Sequence, residues 1–237
     1  MKLRNWIVLI LFIACKNSSP DTTNEKETIS TATIERTELH NLQEAAQSGD
    51  LILRMGDDLL SHQIRAMNDV EKLYSHAGII IEEGGKKMVC HITPFSAVSD
   101  SIQFEPLDSF ANPSLNLNAA LYRYDFTPAE KESFINILKN FSRQNIRFDK
   151  IYDIETDSAM YCSELIYKSL KKATDNRINC KLTTAPKPMH RFLTALFKKQ
   201  GLNAKDIAER KIITLDHLYL IPQCKLVQKA TLKHYQQ

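Results

Sequence analysis

Apolar positions along this chain recur with two periods, one alternating and one helical, and the period changes from segment to segment. HNLQEAAQSGD looks like a short helix ending at Gly49. GDLILRMGD (49–57), centred on Leu51, Ile52 and Leu53, reads as a first strand. In LLSHQIRAMN (59–68), Leu59, Leu60, Ile64 and Met67 fall near helical spacing and predict a helix. YSHAGIII (74–81) is a second strand, EEGG a turn and KKMVCHIT (86–93) a third strand. Pro94 ends that strand, because it offers no N–H to a ladder. SIQFEPLDSF suggests a short strand and LNAALYRYD (117–125) a clearer one. TPAEKESFINILKNFSRQ (127–144) predicts a helix, with Thr127 as cap, Pro128 at its first position and Glu130 three residues after the cap. YCSELIYKSLKKA (161–173) predicts another. MHRFLTALFKKQG predicts a helix closing at Gly201, and IITLDHLYLIPQCKLVQ one or two late strands. Together these define an α+β domain. Its small sheet is antiparallel, because the strands within 74–93 are joined too tightly for a crossover.

The second strand raises a chemical question, since His76 lies among Ser75, Ala77 and Gly78, residues too small to cover it. If Gly84-Gly85 is a two-residue turn, Glu83 faces Lys86, Ile80 faces Val89, Gly78 faces His91 and His76 faces Thr93. Alternation then puts His76, Gly78 and Ile80 on one face with Val89 and His91. The two histidines become diagonal neighbours at roughly 7–8 Å. A one-residue slip would send them to opposite faces. A lone strand histidine is more often a packed residue with one hydrogen bond than a catalyst. Two on one face beside a glycine shift that balance.

Cys162 falls at the start of a predicted helix, where unpaired N–H groups and the helix dipole favour an anion. A thiol so placed is expected to ionise readily and act as a nucleophile. The same N–H groups suit the oxyanion of a tetrahedral intermediate. Cysteine is also a common small buried hydrophobe, the simplest reading of Cys90, Cys180 and Cys224. Tyr74 and Tyr161 flank these segments and either line a pocket or merely pack.

Composition narrows the classes. The 43% hydrophobic and 25% charged content suits a folded domain. A net charge of +3, with Lys and Arg scattered, argues against a nucleic-acid partner. No repeat and no glycine-rich phosphate loop is visible, and no cofactor is expected.

The first residues are different. MKLRNWIVLILFIAC carries Lys2 and Arg4, then an apolar run from Trp6 to Ala14 that is far shorter than the ~20 residues of a membrane span. FIAC resembles the lipobox of bacterial lipoproteins, which implies a signal peptide over 1–14 and lipidation of Cys15. KNSSPDTTNEKETISTATIER reads as a flexible tether over 15–36, with the domain spanning 37–237.

SGDLILRMGDDLLSHQIRAM, LYSHAGIII and YCSELIYKSL, in this order, resemble the YiiX-like permuted papain-like amidases of the NlpC-type cysteine hydrolase superfamily. The resemblance covers about residues 47 to 225. It implies Cys162 as nucleophile, His76 as base and His91 as the third, orienting group, where many YiiX-like proteins carry a glutamate. The function implied is a cell-envelope cysteine hydrolase that cleaves an amide or ester bond through an acyl-enzyme. Its substrate would be a peptidoglycan peptide or an acylated small molecule or lipid, met at the membrane. Acyl transfer on lipid or N-acyl substrates is the near alternative, and a non-catalytic cell-wall-binding module a further one. Cys162, His76 and His91 as zinc ligands is another alternative, for which the sequence supplies no fourth donor.

Overall fold

A computed structural model describes residues 22–94, 100–197, 206 and 209–233. Residues 1–14 and Cys15, read above as signal and lipidation site, lie outside the described residues, as does Gly201. The expected tether is helical from Thr22, because α1 spans Thr22–Ala45. That stretch holds neither Pro nor Gly, so nothing in it breaks a helix. Near its end Leu42 is buried, and so is Ala46 just after it.

The rest follows the predicted order. Strands β1 (Leu51–Gly56), β2 (His76–Glu83), β3 (Lys86–Ile92), β4 (Ile102–Pro106) and β5 (Asn116–Tyr124) are joined late by β10 (Cys224–Thr231). They form one six-stranded sheet in the order β10-β5-β1-β2-β3-β4, with every neighbouring pair antiparallel. Helices α2 (Leu59–Ala66), α3 (Leu107–Phe110), α4 (Pro128–Arg143), α5 (Cys162–Ala173) and α6 (Lys187–Phe197) surround it. Short pairs β6 (Arg147–Phe148) with β7 (Ala159–Met160), and β8 (Thr183–Thr184) with β9 (Lys211–Ile212), tie down the loops. The tail differs from expectation, since DHLY forms a helical turn, α7 (Asp216–Tyr219). The Asp216 carboxylate accepts from Val70 N at 2.6 Å and Glu71 N at 3.0 Å, which pins that turn to the loop after α2.

Alternation along the strands sorts two apolar clusters. Leu53, Ile79, Cys90 and Ile92 join Phe134, Leu138 and Leu165 of α4 and α5 on one side. Ile52, Ile80, Val89 and Leu121 join Leu42, Leu107 and Phe110 on the other. The β1 entrance is braced by Asp50, which accepts two 2.7 Å bonds from Arg123 and one at 2.8 Å from Gln47 N. The capping box at Thr127 is formed as read.

Candidate active site

The hairpin sets the centre of the site. Gly84 and Gly85 hold φ of 57° and 75°, the positive values that a type I′ turn requires. The register then places Ile80 opposite Val89 and Glu83 opposite Lys86. The diagonal approach of the histidines tightens to contact, with His76 Nε2 2.9 Å from His91 Nδ1. Gly78 makes this possible. A Cβ there would sit 2.4 Å from Val89 Cγ1 and 3.2 Å from His91 Cβ, so only a bare backbone lets β3 lie this close.

Phe110 lies against both imidazoles, its ring centroid 5.6 Å from that of His76 and 5.2 Å from that of His91. The Arg54 guanidinium stacks on the same ring at 4.4 Å and donates to the Phe110 carbonyl at 2.8 Å. The sequence alone singles out neither Arg54 nor Glu105. Glu105 faces Val89 across the β3–β4 pair, and its Oε2 lies 3.2 Å from His91 Nε2. The approach angle there falls short of a well-formed hydrogen bond, so the contact is chiefly electrostatic. His91 beside it holds the Glu105 carboxyl below its usual range. Burial pushes His91 down, against the pull of Glu105. Burial, with Arg54 and His91 adding to it, pushes His76 well below 6.5. Both imidazoles are therefore neutral at pH 7.

Cys162 is the first residue of α5, after Tyr161 in extended conformation, and Glu164 Oε2 accepts from Tyr161 N at 3.2 Å. The thiol does not follow expectation. Burial pushes it up to about 11, and the N–H groups of Ser163, Ala77 and Cys162 itself offset this only in part. A helix N-terminus favours the thiolate, but desolvation of the charged form outweighs it here. Ala77 directly follows His76, so its N–H on the sulfur ties the thiol to the histidine strand. Glu164 is fully buried and pushed up to about 8 by burial, with Lys168 at 2.9 Å acting against this; it braces the helix start. The loop before Cys162 is held by the Asp149 carboxylate, which accepts from Ile151 N at 2.8 Å and from Asp153 N. In that loop Tyr152 takes a φ of 54°, unusual for a bulky side chain.

Cys162 and His76 line one cavity of about 310 Å³ together with Tyr161. Tyr74 is not among its lining residues; it is buried and packs edge-to-face on Tyr219 at 5.8 Å. Cys90, Cys180 and Cys224 are buried free thiols.

A histidine strand upstream of a cysteine helix, across an antiparallel sheet, defines a papain-like fold in permuted order. The chain belongs to the family described as permuted papain-like amidase enzyme, YaeF/YiiX, C92 family, whose model matches residues 45–212. It is thus a member of a family of amidases, which are hydrolytic enzymes. A search of curated proteins finds no match. The crystal structure titled metalloprotein yiiX from Escherichia coli O157:H7 shares the fold, with a TM-score of 0.61 and 19% identity over 78% of this chain and 98% of that one. Among the described residues no three His, Cys, Asp or Glu side chains group to hold an ion. His76 Nε2 and His91 Nδ1 are turned on each other.

Proposed function

We propose that this protein is a thiol-dependent amidase of the cell envelope, with Cys162 as nucleophile and His76 as its base. His91 and Glu105 orient that base. The observation that carries the reading is that His76, which lines the same pocket as Cys162, is held at 2.9 Å by His91.

The proton assignment follows from the charges. Glu105 is ionised and can only accept, so His91 carries its proton on Nε2. His91 Nδ1 is then an acceptor, and His76 must donate from Nε2. His76 Nδ1 is left with a free lone pair for the thiol. With the thiol pushed up to about 11 and His76 neutral, the resting pair is uncharged, so the proton moves as sulfur attacks. The S–C bond forms, N–H groups at the start of α5 receive the oxyanion, and imidazolium returns the proton to the leaving amine or alcohol. Water, deprotonated by His76, then breaks the thioester and releases a carboxylic acid.

The decisive experiment combines activity with alkylation. Cys162→Ala should lower amide or ester turnover by about a thousandfold or more. Iodoacetamide labelling of Cys162 should rise only above pH 9, toward the value of about 11. A Cys162→Ala variant with full activity would sink the reading, and labelling that persists into the acid range would replace the uncharged pair with an ion pair. Placement at the envelope rests on MKLRNWIVLILFIAC. Cys15→Ser should move the protein out of the membrane fraction, and unchanged fractionation would remove the lipid anchor from the proposal.

A further inference from the structure

Arg54 takes no part in the proton transfer between Cys162 and His76, yet the β1–β2 ladder sets it directly opposite the base. Residues so paired hold their Cβ atoms about 4.5–5.5 Å apart on one face. Arg54 is not among the described lining of the pocket that Cys162 shares with His76. It turns instead onto Phe110. Its Cζ lies 4.4 Å from the ring centroid, and its Nη1 donates to the Phe110 carbonyl at 2.8 Å. The same ring packs on His76 and His91, with centroids 5.6 and 5.2 Å away. Arg54 therefore grips, by ring and by backbone, the side chain that lies against both imidazoles. Phe110 needs the grip, because it ends a helix of only four residues, too short to be stable by itself. The carboxylates that act on Arg54 are engaged elsewhere. Glu105 lies against His91 at 3.2 Å, and Asp58 accepts from Ser61 N at 2.9 Å and from Ser61 Oγ at 2.6 Å. Burial lowers Arg54 from its ordinary range, but a guanidinium stays charged at neutral pH. A largely desolvated cation with one hydrogen bond among the described residues costs stability. Packing alone does not account for it, since an apolar side chain would cover Phe110 as well.

We propose that Arg54 is a positioning residue for the base: it clamps Phe110 over the two imidazoles and sets a fixed positive charge beside His76. The inference rests on the assignment of His76 as the base of the Cys162 thiol. The clamp keeps the His76 ring against His91, so that Nδ1 remains toward the thiol. The charge disfavours imidazolium at His76 and favours negative charge on Cys162, and both effects keep the base ready to accept a proton. Arg54 faces His76 from β1, His91 faces it from β3 with Glu105 of β4 beyond, and Cys162 lies across the pocket on α5. Asp58 at the start of α2 acts on Arg54, and exposed Lys150 shares the pocket wall. Arg54 thus opposes Glu105, which favours the charged imidazole.

The test compares Arg54→Met, Arg54→Gln and Arg54→Lys in the full-length protein, with kcat/KM for p-nitrophenyl acetate followed from about pH 4 to pH 8. Methionine keeps bulk over Phe110 and glutamine keeps a donor for its carbonyl, but both lose the charge. Lysine keeps the charge and loses the planar stack. The neutral variants should lose about tenfold in kcat/KM. Their acidic limb should move up by about one pH unit, because imidazolium forms more easily once the cation is gone. Arg54→Lys should leave the limb at its wild-type position. A residue that only braces Phe110 would lower the rate and leave the limb in place in all three. A limb unmoved in the neutral variants, or displaced equally in Arg54→Lys, overturns the inference, and the thiol hydrolase still stands if Cys162→Ala is inactive. If neither neutral variant folds, Arg54 holds the fold rather than the base, and the inference is overturned as well. Turnover that survives Cys162→Ala, or a wild type with none, overturns both.

Discussion

On the side of the sheet toward α4 and α5, Leu53, Ile79, Cys90 and Ile92 pack with Phe134 and Leu138 in one apolar cluster. On the other side, four consecutive strands each contribute one polar, titratable side chain: Arg54 from β1, His76 from β2, His91 from β3 and Glu105 from β4. The register puts all four on one face along a diagonal, Arg54 opposite His76, His91 diagonal to His76 and Glu105 diagonal to His91, with a fixed cation at one end, a carboxylate at the other and two neutral imidazoles between them. Burying such a row adds less to stability than burying apolar side chains would. In the proposed mechanism it gives the proton path one direction. Phe110 supplies the apolar surface against which the row is held. The titratable diagonal and the α4–α5 cluster thus occupy opposite faces of the same strands, and the second apolar cluster shares the face of the diagonal.

Substitutions can break that division. His76→Ala should lower turnover by about a hundred- to ten-thousandfold while the urea midpoint changes little. A large loss of midpoint would mean that the row also holds the fold. Phe134→Ala, on the apolar side, should cost about 3–5 kcal/mol in equilibrium unfolding, with turnover per folded molecule kept. Gly78→Ala acts on the face of the titratable residues, since its new methyl would meet Val89 and His91 there. It should cost about 1–3 kcal/mol and lower the rate as β3 shifts. If the rate holds, the close approach of β3 is dispensable.

The smallest effect is the most diagnostic. Glu105→Gln should reduce kcat/KM about tenfold and move its acidic limb to lower pH. The sign follows from charge, because the carboxylate beside His91 Nε2–H makes His91 Nδ1 a stronger acceptor for His76 Nε2–H and so favours imidazolium at His76. Removing the negative charge disfavours imidazolium, so the apparent pKa of the base falls. A residue with only a packing role would lower the rate and leave the limb in place. The same groups bear on folding. His76 is depressed in the fold, so the unfolded chain takes up protons first and stability declines as pH falls below about 6.5.

Local rules carried the sequence reading where a turn or cap fixed the outcome. Gly84-Gly85 gave the β2–β3 register, and with it the shared face of His76 and His91. Thr127, Pro128 and Glu130 gave the start of α4. Glu105 escaped because β4 reaches β3 through a long connection rather than a tight turn, so no local rule sets its register against His91. The thiol was misjudged for a related reason. The helix start is visible in YCSEL, but the burial that lifts Cys162 comes from segments distant in sequence. The helical turn at Asp216 depends on backbone N–H groups of residues 70 and 71, a tertiary contact that no periodicity records.

The tight hairpin also has a consequence for how the enzyme comes into being. Its ends are neighbours in sequence, so the imidazole pair is a low-contact-order element that closes within about 1–10 μs once its strands are free. Cys162 is met much later along the chain, and its docking beside Ala77 must await long-range assembly of the sheet with α5. On the proposed assignment the base is assembled first and the nucleophile last. Completion of folding would then be the activating event, and a chain caught halfway would carry an unaligned thiol that cannot hydrolyse what it meets.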